Sequence, residues 1–193
     1  MFVDPQNITN FSRTLHELEA FLLFVPTVAG KNSDTQAEKL NRMFEDMRRN
    51  DALDKFGSPF DLVRQSIELG TLEDHMRSVG LGQYGRLPQS FEEIVKLDPN
   101  TCTIEDLEKI HGIGLKSSRF FIVHSRKDHK HAIIDTHILK FLRDNGVYAP
   151  EKSTPTDSQR YAVLEKAYVE LALETGMAVA DHDLMIWKLY RTK

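Results

Sequence analysis

The sequence has 193 residues and only one cysteine, Cys102. A single cysteine excludes an internal disulfide framework, a four-cysteine zinc site and a four-cysteine iron–sulfur cluster. We therefore expect a reducing setting such as the cytoplasm. The sequence also lacks any apolar run near the roughly 18–20 residues that a membrane span needs. Its N-terminus has no basic segment followed by a small-residue cleavage site, so we expect no secretory signal.

The chain has no excess of positive charge, because its formal net charge is −4. Bulk charge therefore gives no indication of nucleic-acid binding, and any such site must be a local basic patch. The hydrophobic content of 40% and the charged content of 28% fit an ordinary soluble globular protein.

Strand-like alternation is almost absent, whereas apolar residues recur at spacings of three and four along most of the chain. This spacing is typical of helices with one buried face. It predicts an all-α fold with about nine or ten helices. Ser33, with Gln36 three residues later, predicts a capped start for the second helix. The first apolar stripe consists of Ile8, Phe11, Leu15, Leu18, Leu22 and Val25.

The most informative segment runs from Leu107 to Leu142 and begins with a glycine hairpin between two short helices. Glycine allows a positive φ and a close approach of the backbone to a ligand. Backbone N–H groups in the hairpin, together with the N-terminus of the second helix, predict a site for a DNA phosphate. The alternative is a tight helix–helix turn without a ligand. The candidate DNA-binding residues here are Gly112, Ile113, Gly114, Ser117 and Arg119.

Positive charge is concentrated around this hairpin. Residues 109–131 contain six lysines or arginines, four of the eight histidines and a single acidic residue, Asp128. An acidic chain thus carries one strongly basic segment, as backbone binding to DNA requires. Three of those histidines, His124, His129 and His131, have spacings that do not match known zinc sites. We therefore expect no metal at these histidines, and nothing in the sequence implies an organic cofactor.

The motif Ile134-Asp135-Thr136-His137-Ile138 follows, with Asp135 19 residues after Lys116. The hairpin and this motif, at this separation, resemble the helix-hairpin-helix DNA glycosylase superfamily, in particular the endonuclease III-like enzymes, here without their iron–sulfur cluster. The resemblance implies two helical lobes with a cleft between them. It implies a barrel lobe at 28–133 with the helix-hairpin-helix at about 104–125. The second lobe would combine 1–27 with 134–193.

The resemblance also implies roles for two residues. Asp135 matches the essential carboxylate, which would face C1′ of the target nucleotide and stabilise positive charge there. Its structural alternative is an N-cap for the following helix, and one residue can serve both roles. Lys116 matches the lysine that attacks C1′ and forms a Schiff base in members with lyase activity. Its alternative is a phosphate contact.

Four further residues are candidates by position. Lys31 and Asn32 occupy the place of a loop that probes the DNA stack, and one of them would enter the gap left by an extruded base; the alternative is a polar turn. His137 is expected to support the site through hydrogen bonds. Asp183 falls on an apolar helix face, where it would line the pocket or bond a neighbouring helix.

The leading hypothesis is a DNA glycosylase with AP-lyase activity that flips a damaged or modified base and cleaves its N-glycosidic bond in base excision repair. The expected partner is double-stranded DNA, and the chain is expected to be a monomer that does not associate with a membrane. The expected location is the cytoplasm of a bacterial or phage-infected cell, or its nucleoid. One alternative is a phage-type enzyme on the same fold that transfers an amine or amino acid to an activated 5-hydroxymethylpyrimidine in DNA. A second is a non-catalytic DNA-binding module.

Overall fold

A computed structural model describes residues 1–50, 52–127 and 129–191, with Arg191 described by its backbone alone. These residues form ten α-helices and no strand, which confirms the all-α fold. Among the described helices, none has the length and apolarity of a membrane-crossing segment. The helices are α1 (Leu15–Thr27), α2 (Ser33–Arg49), α3 (Pro59–Glu68), α4 (Leu72–Ser78), α5 (Leu87–Ile94), α6 (Ile104–Glu108), α7 (Leu115–Ser125), α8 (Thr136–Asp144), α9 (Ser158–Glu174) and α10 (Val179–Arg191).

The described helices are organised in two compact units. Unit 1 contains Met1–Ile8 and Ser12–Ile113, and unit 2 contains Thr9–Phe11 and the described residues from Gly114 onward. In unit 1, α1 packs against α2, α3 and α5, and α4 packs against α2 and α3. Its core includes the fully buried rings of Phe21, Phe24, Phe44, Phe60 and Phe91.

Unit 2 is built around α8, α9 and α10, which pack on one another, while α7 packs against α10. Its main core contains Ile134, Ile138, Leu142, Tyr161, Leu164, Tyr168 and Ile186. A smaller cluster of Val123, Ile133 and Ala180 packs with Phe11 and Phe120. Several of these residues recur at the helical spacing of three or four, as Tyr161, Leu164 and Tyr168 do, because burial of one helix face creates such a stripe.

The boundaries of the two units differ from those of the two lobes expected from the sequence. The expected barrel lobe was 28–133, and the expected second lobe combined 1–27 with 134–193. Helix α1 belongs to unit 1 because its partners are α2, α3 and α5, and residues 114–133 belong to unit 2, where α7 packs against α10. The start of α2 also differs from expectation. Asn32, not Ser33, is the N-cap, and its side chain accepts a hydrogen bond from the N–H of Thr35 at 3.0 Å.

Candidate active site and nucleic-acid interface

The glycine hairpin follows α6 and is closed by a hydrogen bond from the N–H of Ile113 to the carbonyl of Ile110, 3.0 Å long. Gly112 has a φ of +79°, which a residue with a Cβ adopts only under strain. Ile113 is buried, with 5% of its surface exposed. Its side chain anchors the hairpin and its N–H is already bonded, so the structure gives Ile113 a packing role in place of the expected DNA contact.

Gly114 is the N-cap of α7, with an extended φ of −110° and ψ of −172° and no side-chain cap. The N–H of Ser118 donates to the carbonyl of Gly114 at 3.0 Å and is the first hydrogen bond of this helix. Helix geometry therefore leaves the N–H groups of Leu115, Lys116 and Ser117 without intrahelical partners. Such an N-terminus attracts anions through its N–H groups and its dipole.

A pocket of about 290 Å³ opens at this helix start. Lys116 is exposed there and Ser117 is half-buried. The residues lining the pocket come from the first turn of α7 and from the loop before α9: Gly114, Leu115, Lys116, Ser117, Thr154, Pro155 and Thr156. Both candidate functions of Lys116, as a nucleophile and as a phosphate contact, are compatible with an accessible amino group in a pocket of this kind.

Asp135 is the N-cap of α8. Its Oδ1 accepts hydrogen bonds from the N–H groups of His137 at 2.8 Å and Ile138 at 2.9 Å. The positive end of the α8 dipole therefore faces the carboxylate. The segment before it is fixed by Tyr161, whose hydroxyl accepts from the N–H of Ile134 at 2.9 Å and donates to the carbonyl of Ala132 at 3.1 Å. Asp135 is half-buried and held in one orientation.

The expected support from His137 involves its backbone, since its N–H is one of the two donors to Asp135. The orientation of Asp135 thus depends on where α8 begins, at Thr136. An asparagine at position 135 would retain an oxygen for both donors while losing the charge. The structural and chemical roles of Asp135 can therefore be separated by mutation.

Asp183 on α10 is buried beside His124 of α7, whose Nε2 lies 3.5 Å from its Oδ2. The other ring nitrogen of His124, Nδ1, is 2.9 Å from the hydroxyl of Thr9. Burial raises the pKa of Asp183, and the nearby charge of Asp135 raises it further. The hydrogen bond and charge of His124, and the charge of Lys116, act in the opposite direction and lower this pKa. Asp183 thus lies within electrostatic reach of both candidate catalytic groups.

Sequence reasoning identified Asp183 but missed His124 and Thr9. Thr9 lies 115 positions before His124, and neither residue belongs to a recognisable motif. In the sequence, His124 groups with His129 and His131 in a basic segment, yet the side chain of His124 is fully buried. Only the packing of α7 against α10 within unit 2 reveals the arrangement.

Arg119 was expected to bind DNA, but the structure places it in an ion pair. Its Nε donates to Glu165 Oε1 at 3.0 Å, and only 12% and 10% of the two side chains are exposed. Glu165 also accepts from the N–H of Ala132 at 3.0 Å, and the guanidinium lies 4.7 Å from the centre of the Tyr161 ring. A phosphate contact would break this buried pair, so Arg119 is better explained as part of the unit 2 core.

The basic segment around the hairpin is therefore less positive than its composition indicates. Arg119 is neutralised by Glu165, and Lys109 forms a surface pair with Asp106 at 3.1 Å. Lys109 is exposed but precedes the hairpin, whereas the exposed lysines that follow the hairpin in the chain are Lys116, Lys127 and Lys130.

Lys31 and Asn32 lie in unit 1, in the exposed turn between α1 and α2. The N–H of Lys31 closes this turn on the carbonyl of Val28 at 3.1 Å, and Gly30 has a φ of +69°. The side chain of Asn32 is used as a cap for α2. Lys31 is thus the more available of the two side chains.

The fold has a solved counterpart. The structure of the 8-oxoguanine DNA glycosylase of Thermotoga maritima matches 98% of this chain and 88% of its own, with a TM-score of 0.65 and 22% identity. A family model described as 8-oxoguanine DNA glycosylase matches residues 84–177, a range that contains the hairpin, Lys116 and Asp135. The chain therefore has the fold of that glycosylase structure, and its residues 84–177, which contain these motifs, are similar to the 8-oxoguanine DNA glycosylase family.

The curated proteins that resemble this chain in sequence are named 8-oxoguanine DNA glycosylase/AP lyase. A relative from Saccharolobus islandicus is 30% identical over 104 residues, which are 54% of this chain and 49% of the relative. One from Picrophilus torridus is 33% identical over 97 residues, 50% of this chain and 45% of that protein. The chain thus spans about half the length of the curated relatives it matches.

Proposed function

We propose that the protein is a DNA glycosylase with AP-lyase activity, acting on 8-oxoguanine in double-stranded DNA. The observation that carries this proposal is the arrangement in unit 2. Asp135 is fixed by two backbone N–H groups, Lys116 is exposed at the start of α7, and the charges of both act on the buried Asp183. The names of the relatives from Saccharolobus and Picrophilus support the choice of base.

The proposed chemistry uses both groups. The Lys116 amine attacks C1′ of the target nucleotide, the N-glycosidic bond breaks, and its electron pair leaves with the base. Asp135 stabilises the positive charge that develops on the sugar, takes up the proton that Nζ releases once it is bonded to C1′, and passes that proton to the departing base. Opening of the sugar ring then leaves an imine between Nζ and C1′, from which β-elimination breaks the strand on the 3′ side.

DNA contacts are proposed for four positions. The N–H groups of the hairpin at Gly112 and Gly114, with Ser117 at the helix start, hold phosphates without reading sequence. Lys31 enters the gap that the extruded base leaves in the stack. Asn32 contributes to that turn mainly by capping α2.

Asp183 is proposed as a support residue. Burial raises the pKa of Asp183, so its carboxyl takes on a negative charge near Asp135 less readily than an exposed aspartate would, and His124 holds it in place. Asp183 would then serve both roles considered from the sequence, because it bonds a neighbouring helix and also acts on the site.

The test uses a duplex with one 8-oxoguanine opposite cytosine and the same duplex with guanine. Wild-type protein should release free 8-oxoguanine, measured by mass spectrometry, and should be trapped on the DNA by borohydride. Lys116→Ala should lose trapping and strand cleavage together. Asp135→Asn should bind DNA normally while its rate falls by about 10²–10³, the usual cost of one lost electrostatic contact at a reacting centre.

Two outcomes would redirect the proposal. A heavier nucleoside with an intact glycosidic bond, formed only with an added amine or amino acid, would establish the transferase. Binding of duplex DNA without release or modification of any base would establish a non-catalytic module.

A further inference from the structure

Arg86, immediately before α5, contacts two separate parts of unit 1. Its Nη1 donates to the carbonyl of Gly112 in the hairpin at 2.7 Å, and its Nη2 donates to the carbonyl of Pro26 in α1, also at 2.7 Å. The guanidinium also donates to the side-chain oxygen of Gln83. The planar guanidinium has donors in fixed directions, so one side chain can hold two carbonyls at a defined separation.

The contact with α1 is at a point where a cation is favourable. Pro26 lies in the last turn of α1, where the final carbonyls have no intrahelical partners and the helix dipole is negative. Gln83 supplies a second bond nearby, from its Nε2 to the carbonyl of Thr27 at 3.2 Å. Gln83 has a φ of +56°, a strained value for a residue with a side chain. Two side-chain hydrogen bonds maintain that conformation.

The contact with the hairpin extends along α5. The hydroxyl of Ser90 donates to the carbonyl of His111 at 2.6 Å, and Glu93 accepts from the N–H of His111 at 2.5 Å. Arg86, Ser90 and Glu93 are spaced by four and three residues and therefore share one helix face. The stem of Arg86 lies so close to Gly112 that a Cβ there would be 2.6 Å from its Cδ.

We propose that Arg86 is a positioning residue that fixes the hairpin relative to the turn at 28–32, which begins directly after Thr27. This inference rests on the proposed function, in which the hairpin holds a phosphate and Lys31 enters the stack. Two contacts on one duplex cooperate only when their separation is fixed beforehand, because otherwise DNA binding must supply the ordering free energy. Arg86 provides that separation through Gly112 and Pro26.

The experiment compares Arg86→Ala with Arg64→Ala as a matched control. Arg64 likewise donates a guanidinium bond to a carbonyl at a helix end, that of Val95 at 2.6 Å, but it does not contact the hairpin. The substrate is an 8-oxoguanine duplex with 2-aminopurine beside the lesion, whose fluorescence rises when its neighbour leaves the stack. Affinity, its salt dependence, the fluorescence rise and the single-turnover rate are measured.

Arg86→Ala should lose most of the fluorescence rise, and its single-turnover rate should fall by about 10- to 100-fold, as displaced contacts remote from the chemistry can cause. The salt dependence should stay unchanged, because no phosphate-binding cation is lost. Arg86→Lys should restore part of the rate, because its ammonium can still bond one of the two carbonyls. Arg64→Ala should behave as wild type in every measurement.

A second variant keeps the test independent of folding. Gln83→Gly relieves the strained φ and should fold, yet it removes the bond to Thr27 and the partner of Arg86, so its fluorescence rise should also be reduced. Equal behaviour of Arg86→Ala and Arg64→Ala, or wild-type behaviour of Gln83→Gly, would overturn the inference. A salt slope reduced by about one in Arg86→Ala would also overturn it, by making Arg86 a phosphate ligand.

Failure of the two proposals can be told apart. If wild-type protein processes the duplex and Arg86→Ala does so equally well, only the positioning role is lost. If wild-type protein neither binds nor processes the duplex, the proposed function is lost and the positioning role with it.

Discussion

Replacing Gly112 with alanine should destabilise the protein by about 2–5 kcal/mol, whereas the same change at Gly114 should alter stability by about 1 kcal/mol or less. The two glycines share one short motif but differ in conformation. Gly112 has a φ of +79° and Gly114 a φ of −110°. A Cβ at Gly112 would lie 2.6 Å from Arg86 Cδ and 2.8 Å from its Cγ, and one at Gly114 would meet nothing within 4 Å.

The expected loss of stability in Gly112→Ala has two parts. A left-handed conformation costs a residue with a Cβ about 1–2 kcal/mol. Forcing extra atoms into a packed position costs typically about 1–3 kcal/mol, because Arg86 must move and weaken its bond to the carbonyl of Gly112. At Gly114, a small loss of N-cap preference is offset by the lower entropy of the unfolded chain.

The assay is urea unfolding followed by circular dichroism at the helix band, for Gly112→Ala and Gly114→Ala in the wild-type and Arg86→Ala backgrounds. Without the Arg86 stem, Gly112→Ala should cost only the conformational part, about 1–2 kcal/mol. The two changes should therefore be non-additive by about 1–3 kcal/mol. Equal effects at Gly112 and Gly114, or strict additivity with Arg86→Ala, would refute the reasoning.

Two further predictions concern buried charge in unit 2. Glu165→Gln should lower the free energy of unfolding by about 3–5 kcal/mol, because it leaves the Arg119 guanidinium buried without its counter-charge. The Arg119→Met/Glu165→Leu double variant should recover much of that loss, and urea unfolding measures both effects. Burial lowers the pKa of His182, while Asp183 partly opposes this, so the unfolded chain binds a proton more readily. Stability should therefore fall as pH drops below about 6.5. It should fall less steeply in His182→Gln, whose amide can still bond the Tyr168 hydroxyl that lies 2.8 Å from His182 Nδ1. Thermal unfolding across pH 5–8 measures both slopes, and identical slopes would contradict the assignment.

The helical fold could be predicted because its signals are local. Apolar spacing of three and four reflects burial of one helix face and needs no knowledge of the partner. Capping is less certain at the level of single residues. Ser33 and Asn32 are both good N-caps, and the structure uses Asn32, whose side chain accepts from Thr35.

The candidate site was only partly predictable, because only some of its signals lie within a short stretch of sequence. Asp135 and Lys116 are carried by motifs that are contiguous in sequence, and the hairpin needs glycine for a local conformational reason. Arg119 belongs to the same segment and has the charge that DNA binding requires. Its actual partner, Glu165, lies 46 positions later and could not be inferred from the segment itself.

The sequence by itself determined that the protein is all-α, that cysteines cannot hold a metal cluster in it, and that a glycine hairpin precedes an aspartate placed to cap a helix. These properties follow from composition, periodicity and short motifs, which act over a few residues. Tertiary structure alone decided that Asp183 lies beside His124 and that Arg86 joins Gly112 to Pro26. Each of these arrangements depends on contacts between residues far apart in the chain, whose geometry is set only when the helices pack.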